Sequence, residues 1–137
     1  MVAGYSGTPL AKKLGLKPGQ RVWFAAMPDR VRAEIDPETI GVIELTEPEP
    51  GVDAAHVFVT ARAELERHVA ILRDRLAADG MIWVSWPKKA SKVATDITED
   101  VVRAVALPTG LVDVKVCAVD QIWSGLKLVI RKSLRTA

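Results

Sequence analysis

Four residues able to hold an anion crowd into a short stretch, Lys88, Lys89, Ser91 and Thr95. Each lysine brings a positive charge with three donors, and the two hydroxyls both donate and accept. A helix start near Thr98 adds backbone N–H groups with no intrahelical partner. Trp123 and Ser124, far along the chain, offer an apolar plate and another hydroxyl. Such a mixture suits a planar or phosphorylated anion. Tyr5 and Ser6, followed by Gly7, have no evident core role and are expected to fold over the same edge. The competing reading makes Lys88 and Lys89 a solvated pair and Trp123 a core or partner-facing residue.

Other catalytic arrangements fail on spacing. Ser85 is flanked by Val84 and Trp86, whereas a nucleophile elbow needs small glycine neighbours for its sharp turn. His56 and His68 stand on a strand and on a helix face away from the apolar stripe, with no carboxylate or serine at an interpretable spacing. Cys117 shares a strand face with Lys115, yet a lone cysteine commonly acts as a small buried hydrophobe. No catalytic residue, metal ligand or cofactor is assigned. Zinc in particular lacks a ligand set, and one cysteine makes no internal disulfide.

The elements that must position the candidate residues follow from the hydrophobic pattern. Gly80 to Trp86 is an apolar run left through Pro87, which reads as a buried strand of a mostly parallel sheet. Lys88 to Thr95 then lies at its carboxyl end, where open α/β sheets bind ligands. Before it, Arg62 to Ala78 places Leu65, Val69, Leu72 and Leu76 on one helical stripe. Further strands are expected at Arg21–Ala26, Gly41–Leu45 and His56–Thr60. Short helices are expected after Pro9, ending at Gly15, and from Asp29 to Ile35, where Asp36-Pro37 breaks the run. After the lysine loop, Asp96 and Glu99 have the spacing of a capping box for a helix over about 98–107. Leu111 to Val119 alternates as an edge strand with Val112, Val114 and Val116 inward, and Leu126 to Arg131 returns as its hairpin partner. A penultimate strand parallel to the rest brings Asp120 to Gly125 to the edge that carries Lys88.

This order predicts an α/β fold, a doubly wound, mostly parallel sheet of about six strands ending in an antiparallel hairpin. The whole chain, 1–137, is expected to be a single domain, since 137 residues suffice for one core. The segment LGLKPGQRV before the first strand and the closing strand, helix and hairpin resemble the class I methyltransferase fold. More closely, Leu14-Gly15, Pro18-Gly19, Gly80 to Trp83, Pro87-Lys88 and Trp123-Ser124-Gly125 resemble a bacterial family catalogued as domain of unknown function 3052. That resemblance implies a truncated methyltransferase-like Rossmann module and no particular activity.

Working methyltransferases run their first strand into a glycine-rich turn, whereas here Ala25-Ala26-Met27-Pro28 follows and no glycine occurs between Gly19 and Gly41. This speaks against S-adenosylmethionine binding; Glu44 or Glu47 stand where an acidic residue would hold a ribose hydroxyl, although a solvated loop carboxylate is the leading reading of either. The leading expectation is a non-catalytic Rossmann-like module binding a small anionic ligand or a protein partner. The alternatives are a diverged S-adenosylmethionine-dependent methyltransferase and a nucleic-acid accessory protein. A net charge of +2 on 19 basic and 17 acidic residues is too balanced to argue for nucleic acid. No apolar run reaches the ~18 residues of a membrane span and no signal peptide is evident, so a cytoplasmic location is expected.

Overall fold

Apolar runs with no polar face demand a layer on each side, and the computed structural model supplies both. It describes residues 8–135. Strands β1 (Arg21–Ala25), β2 (Ile43–Leu45), β3 (Val52–Phe58), β4 (Leu76–Pro87), β5 (Leu111–Ala118) and β6 (Trp123–Ile130) form one six-stranded sheet in the order β2-β1-β3-β4-β6-β5. β1 to β4 pair in parallel, and β6 runs antiparallel to both β4 and β5. β5 is therefore parallel to β1–β4, and the turn between β5 and β6 lies at the carboxyl edge. The expected doubly wound sheet with a terminal antiparallel strand is this architecture.

Helices α1 (Leu10–Lys13), α2 (Asp29–Ile35) and α3 (Pro37–Ile40) cover one face, and α4 (Arg62–Arg75) and α5 (Glu99–Ala106) the other. Under α4 and α5 lie Leu65, Val69, Leu72, Val84, Trp86, Leu126 and Leu128. Under α1 and α2 lie Val22, Ala54, Phe58, Met81, Trp83 and Val119. Neighbouring strand residues alternate between these two cores, as the pleat requires. Trp83 donates its indole N–H to the Leu14 carbonyl at 2.8 Å, which fastens the end of α1 to β4. Gly125 faces that indole across the ladder; a methyl group there would stand 3.2 Å from both Trp83 and Val119.

Several expected boundaries move. α4 stops at Arg75, three residues short of Ala78, because Leu76 turns extended and already pairs with Val52. Residues 77–80 then form a bulge before Met81 pairs with Ala54. β3 begins at Val52, not His56. In β5 a bulge between Asp113 and Lys115 reverses the expected faces. Val114 and Val116 are 54% and 53% exposed, while Cys117 is buried. Asp96 caps no residue of α5. Thr98 does so, its hydroxyl accepting from the Val101 N–H, and Asp96 instead accepts from the Arg62 N–H at 2.8 Å.

Among the described residues no helix is long and apolar enough to cross a membrane. Two substitutions test this framework by urea denaturation. Gly125→Ala overpacks the Trp83 contact and lowers stability by about 1–3 kcal/mol. Asp96→Ala uncaps α4 rather than α5 and lowers it by about 1 kcal/mol.

Candidate functional site

The carboxyl ends of the strands gather the candidate residues through backbone as well as side chains. Lys88 leaves β4 with its N–H donating to the Ile122 carbonyl at 2.7 Å and its ammonium donating to the Asp120 carbonyl at 2.6 Å. The Asp120 carboxylate accepts from the Ile122 and Trp123 N–H groups, both at 2.8 Å, which shapes the β5–β6 turn. Lys88 thus meets the turn that leads into Trp123, whereas Ser124, opposite Trp86 in the ladder, stands on the other face of the sheet from Trp123. Trp123 is half-buried and stands edge-on to Phe58 with ring centres 5.3 Å apart.

The remaining candidates spread away from that meeting point. Ser91 donates its hydroxyl to the Lys88 carbonyl at 2.6 Å and accepts from the Val93 N–H, closing a tight loop. Thr95 donates to the Thr60 carbonyl at 2.6 Å, so it belongs to the joint with the β3–α4 loop. Lys89 opens a short 3-10 turn, Lys89–Ser91, and is exposed. Tyr5 and Ser6 lie outside the described residues. Some of the N–H groups around the helix starts of this edge are engaged. Glu64 accepts from the Thr60 and Ala61 N–H groups, Asp96 from Arg62, and Thr98 from Val101.

One pairing escaped the sequence reading. His56 Nε2 lies 2.7 Å from Ser85 Oγ, although the residues are 29 positions apart. Only the β3–β4 register, with Phe58 opposite Ser85, brings them together, and no local motif announces that register. Both are buried. His56 also stacks on Phe58 with ring centres 4.2 Å apart. Burial pushes its pKa down to about 3, so the ring is neutral at ordinary pH. Ser85 has no exposed surface and reaches no substrate; the pair is a satisfied polar tie in the core. His68, expected to point away from the core, is held edge-on to Trp23 at 5.6 Å, and burial lowers its pKa too.

The chain reverses its direction of winding once, between β1 and β3, since β2 lies on one side of β1 and β3 to β6 on the other. The carboxyl ends of β1 and β3 therefore flank the crevice in which doubly wound sheets hold ligands. Ala26 follows β1 with φ 57°, the left-handed conformation that glycine adopts without penalty. Beside it, Arg32 grips Glu44 through both carboxylate oxygens at 2.9 and 2.6 Å. That fork holds the Glu44 carboxyl below its ordinary pKa. Glu47, just past β2, is exposed and makes no ion pair among the described residues.

A shallow cleft of about 330 Å³, lined by Pro18, Gly19, Gln20, Asp53 and Asp79, opens at the opposite, amino edge and contains none of the candidate residues. Among the described residues, no group of three or more His, Cys, Asp and Glu side chains could hold a metal ion.

Solved structures that share this fold include S-adenosylmethionine-dependent methyltransferases. The magnesium protoporphyrin IX methyltransferase of Synechocystis PCC 6803, solved with bound S-adenosylmethionine, matches with TM-score 0.58 and 12% identity over 88% of this chain and 74% of its own. A TehB-like methyltransferase from Corynebacterium glutamicum matches with TM-score 0.54 and 10% identity over 94% and 91% of the two chains. Fibrillarin from Aeropyrum pernix, in complex with natively bound S-adenosyl-L-methionine, gives 0.53 and 14% over 92% and 70%. These likenesses establish a methyltransferase-like Rossmann fold. No protein-family model matches the chain, so its likeness to domain of unknown function 3052 rests on the quoted motifs alone, and no curated protein matches its sequence.

The buried histidine makes a pH prediction. A folded-state pKa below the unfolded value means that the unfolded chain binds the extra proton. The resulting stability is present above about pH 6.5 and is lost as pH falls toward about 3. While His56 stays neutral only in the folded state, the loss approaches ~1.4 kcal/mol per pH unit. Between about pH 6.5 and 4.5 the carboxylates of Glu44, Glu64 and Asp113 contribute little of the slope, because their unfolded values lie at or below that range. Urea titrations there should show His56→Gln with a shallower pH slope by about one proton.

Proposed function

We propose that this chain is a diverged S-adenosylmethionine-dependent methyltransferase, acting as a single domain, with its cofactor across the carboxyl ends of β1 and β3. The observation that carries this reading is the single switch point of the sheet coinciding with a left-handed turn at Ala26. The turn fits such a ligand in backbone conformation, and the exposed Ala26 adds only one methyl group where glycine would add none. Glu47 is the carboxylate available to ribose hydroxyls, since Glu44 is committed to Arg32. The cofactor would supply the electrophilic methyl group. The chain's own residues would orient it and its acceptor, with Trp123 a stacking plate and Lys88, Lys89 and Ser124 facing anionic or polar parts of the acceptor. Ser91 and Thr95 would shape the loop that carries the lysines. The neighbours solved with bound S-adenosylmethionine support this reading through their shared fold.

A second reading, a non-catalytic module for a small anionic ligand, is favoured by a separate observation. Several N–H groups around the α4 and α5 starts and the hydroxyls of Ser91 and Thr95 are bonded to the chain itself, which leaves Lys89 and Lys92 as exposed cations with no ion pair among the described residues.

Thermal denaturation with ligands separates the two. A hundredfold excess of S-adenosylhomocysteine over its dissociation constant should add about 2.7 kcal/mol to the folded state and raise Tm by several degrees. Ala26→Gly should bind it at least as tightly. It should also gain about 0.5 kcal/mol in the free protein, because relief of the left-handed alanine exceeds the entropy glycine adds to the unfolded chain. No shift with S-adenosylmethionine or S-adenosylhomocysteine would remove the methyltransferase reading. Stabilisation by phosphorylated nucleotides, abolished in the Lys88→Ala, Lys89→Ala double variant, would establish the second.

A further inference from the structure

The near-neutral total charge conceals a strong segregation along the chain. Residues 1–28 and 121–137 contain eight of the nineteen Lys and Arg residues and none of the seventeen Asp and Glu residues. Everything between is acidic on balance, with eleven cations against seventeen carboxylates. The fold brings parts of the two acid-free segments together. α1 is fastened over the sheet by the Trp83 indole bond to Leu14, on the face where Lys127 of β6 stands opposite Trp83.

Three lysines meet there. Lys115 and Lys127 are directly opposed across the β5–β6 ladder, after the bulge has turned Lys115 onto the α1 face. The Lys115 ammonium lies 3.4 Å from the Lys13 carbonyl, and the Lys13 ammonium lies 3.5 Å from the Ala118 carbonyl. Like charges directly opposite each other destabilise a ladder unless something neutralises them. No carboxylate does so here. Every ion pair among the described residues uses Arg21, Arg32, Arg62 or Arg103. The nearest acids in sequence are turned elsewhere, Asp113 to Arg103 and Asp120 into its own turn. β6 ends at Ile130, and Arg131 just past it, about 13 Å from Lys127 at ~3.3 Å per residue, followed by Lys132 at the start of a 3-10 turn, extends the positive charge along this end of the sheet.

We infer that the face built by α1, β5 and β6 docks the phosphate backbone of a nucleic acid, without reading its bases. A line of cations matches a repeating linear polyanion better than one compact phosphate, and Lys as a point charge suits phosphate contact without base selection. The inference does not rest on the cofactor reading, because the lysines stand on the α1 face of the β5–β6 end and not at the β1–β3 crevice.

The test is fluorescence anisotropy of a labelled single-stranded oligonucleotide titrated with the full chain at increasing salt. Binding should fall linearly in log Kd against log salt, with a slope of about 0.7 per phosphate contacted. Replacing Lys13, Lys115 and Lys127 together by alanine should lower that slope by about 2 and weaken binding at every salt concentration. Lys115→Glu should weaken binding while raising Tm, because it places a carboxylate opposite Lys127; a merely structural lysine would not move the two readouts in opposite directions. No binding at low salt, unchanged binding by the triple variant, or full displacement by millimolar inorganic phosphate would each overturn the inference. Any S-adenosylhomocysteine shift should persist in the triple variant, so the failure of one reading is distinguishable from failure of the other.

Discussion

The indole of Trp83 is the contact on which the arrangement of both edges depends. It sits in the middle of β4, the strand flanked by β3 and β6, and is almost fully buried on the α1 face. Its size requires a partner strand without a side chain beneath it, and Gly125 provides that. Its N–H requires an acceptor once buried, and the end of α1 provides that. Seating one ring therefore fixes where β6 lies, where α1 crosses and which lysines meet above them. The same placement of β6 carries Trp123 and the β5–β6 turn to the carboxyl edge beside Lys88.

That edge satisfies its own polar groups to an unusual degree. The β3–α4 and β4–α5 loops are tied through Thr60, Arg62, Thr95 and Asp96, while the β5–β6 turn is tied to β4 through Lys88. Some backbone donors around the starts of α4 and α5, which otherwise attract anions, are taken up by Glu64, Asp96 and Thr98. The edge is thereby pre-organised, and what it still presents is a left-handed alanine, an exposed carboxylate after β2, the exposed Lys89 and Lys92 and the half-buried Trp123.

The fold was legible because its signals are local and periodic. Apolar runs mark strands buried on both faces, and the Leu65 stripe marks α4. The meeting of Lys88 with the β5–β6 turn was also legible, since it needs only that β5 run parallel to β4. Other features were not. The valines of β5 alternate as an inward face should, yet a single bulge at Val114 turns two of them to solvent and Cys117 inward. Asp96 has capping-box spacing for α5 but serves α4, because a carboxylate that reaches a neighbouring loop satisfies a donor equally well there. The balanced net charge hid a lysine face that exists only once the two ends of the chain lie side by side.

The sequence by itself determined the element order, the class of sheet and the stretch that ends at its carboxyl edge, because hydrophobic period and proline or glycine punctuation act within a few residues. The tertiary structure alone decided the His56–Ser85 tie, the Arg32–Glu44 fork, the left-handed turn at Ala26 and the meeting of Lys13, Lys115 and Lys127. Each of these depends on strand register, a bulge or a backbone dihedral set by packing across the whole sheet, and no window of neighbouring residues encodes it.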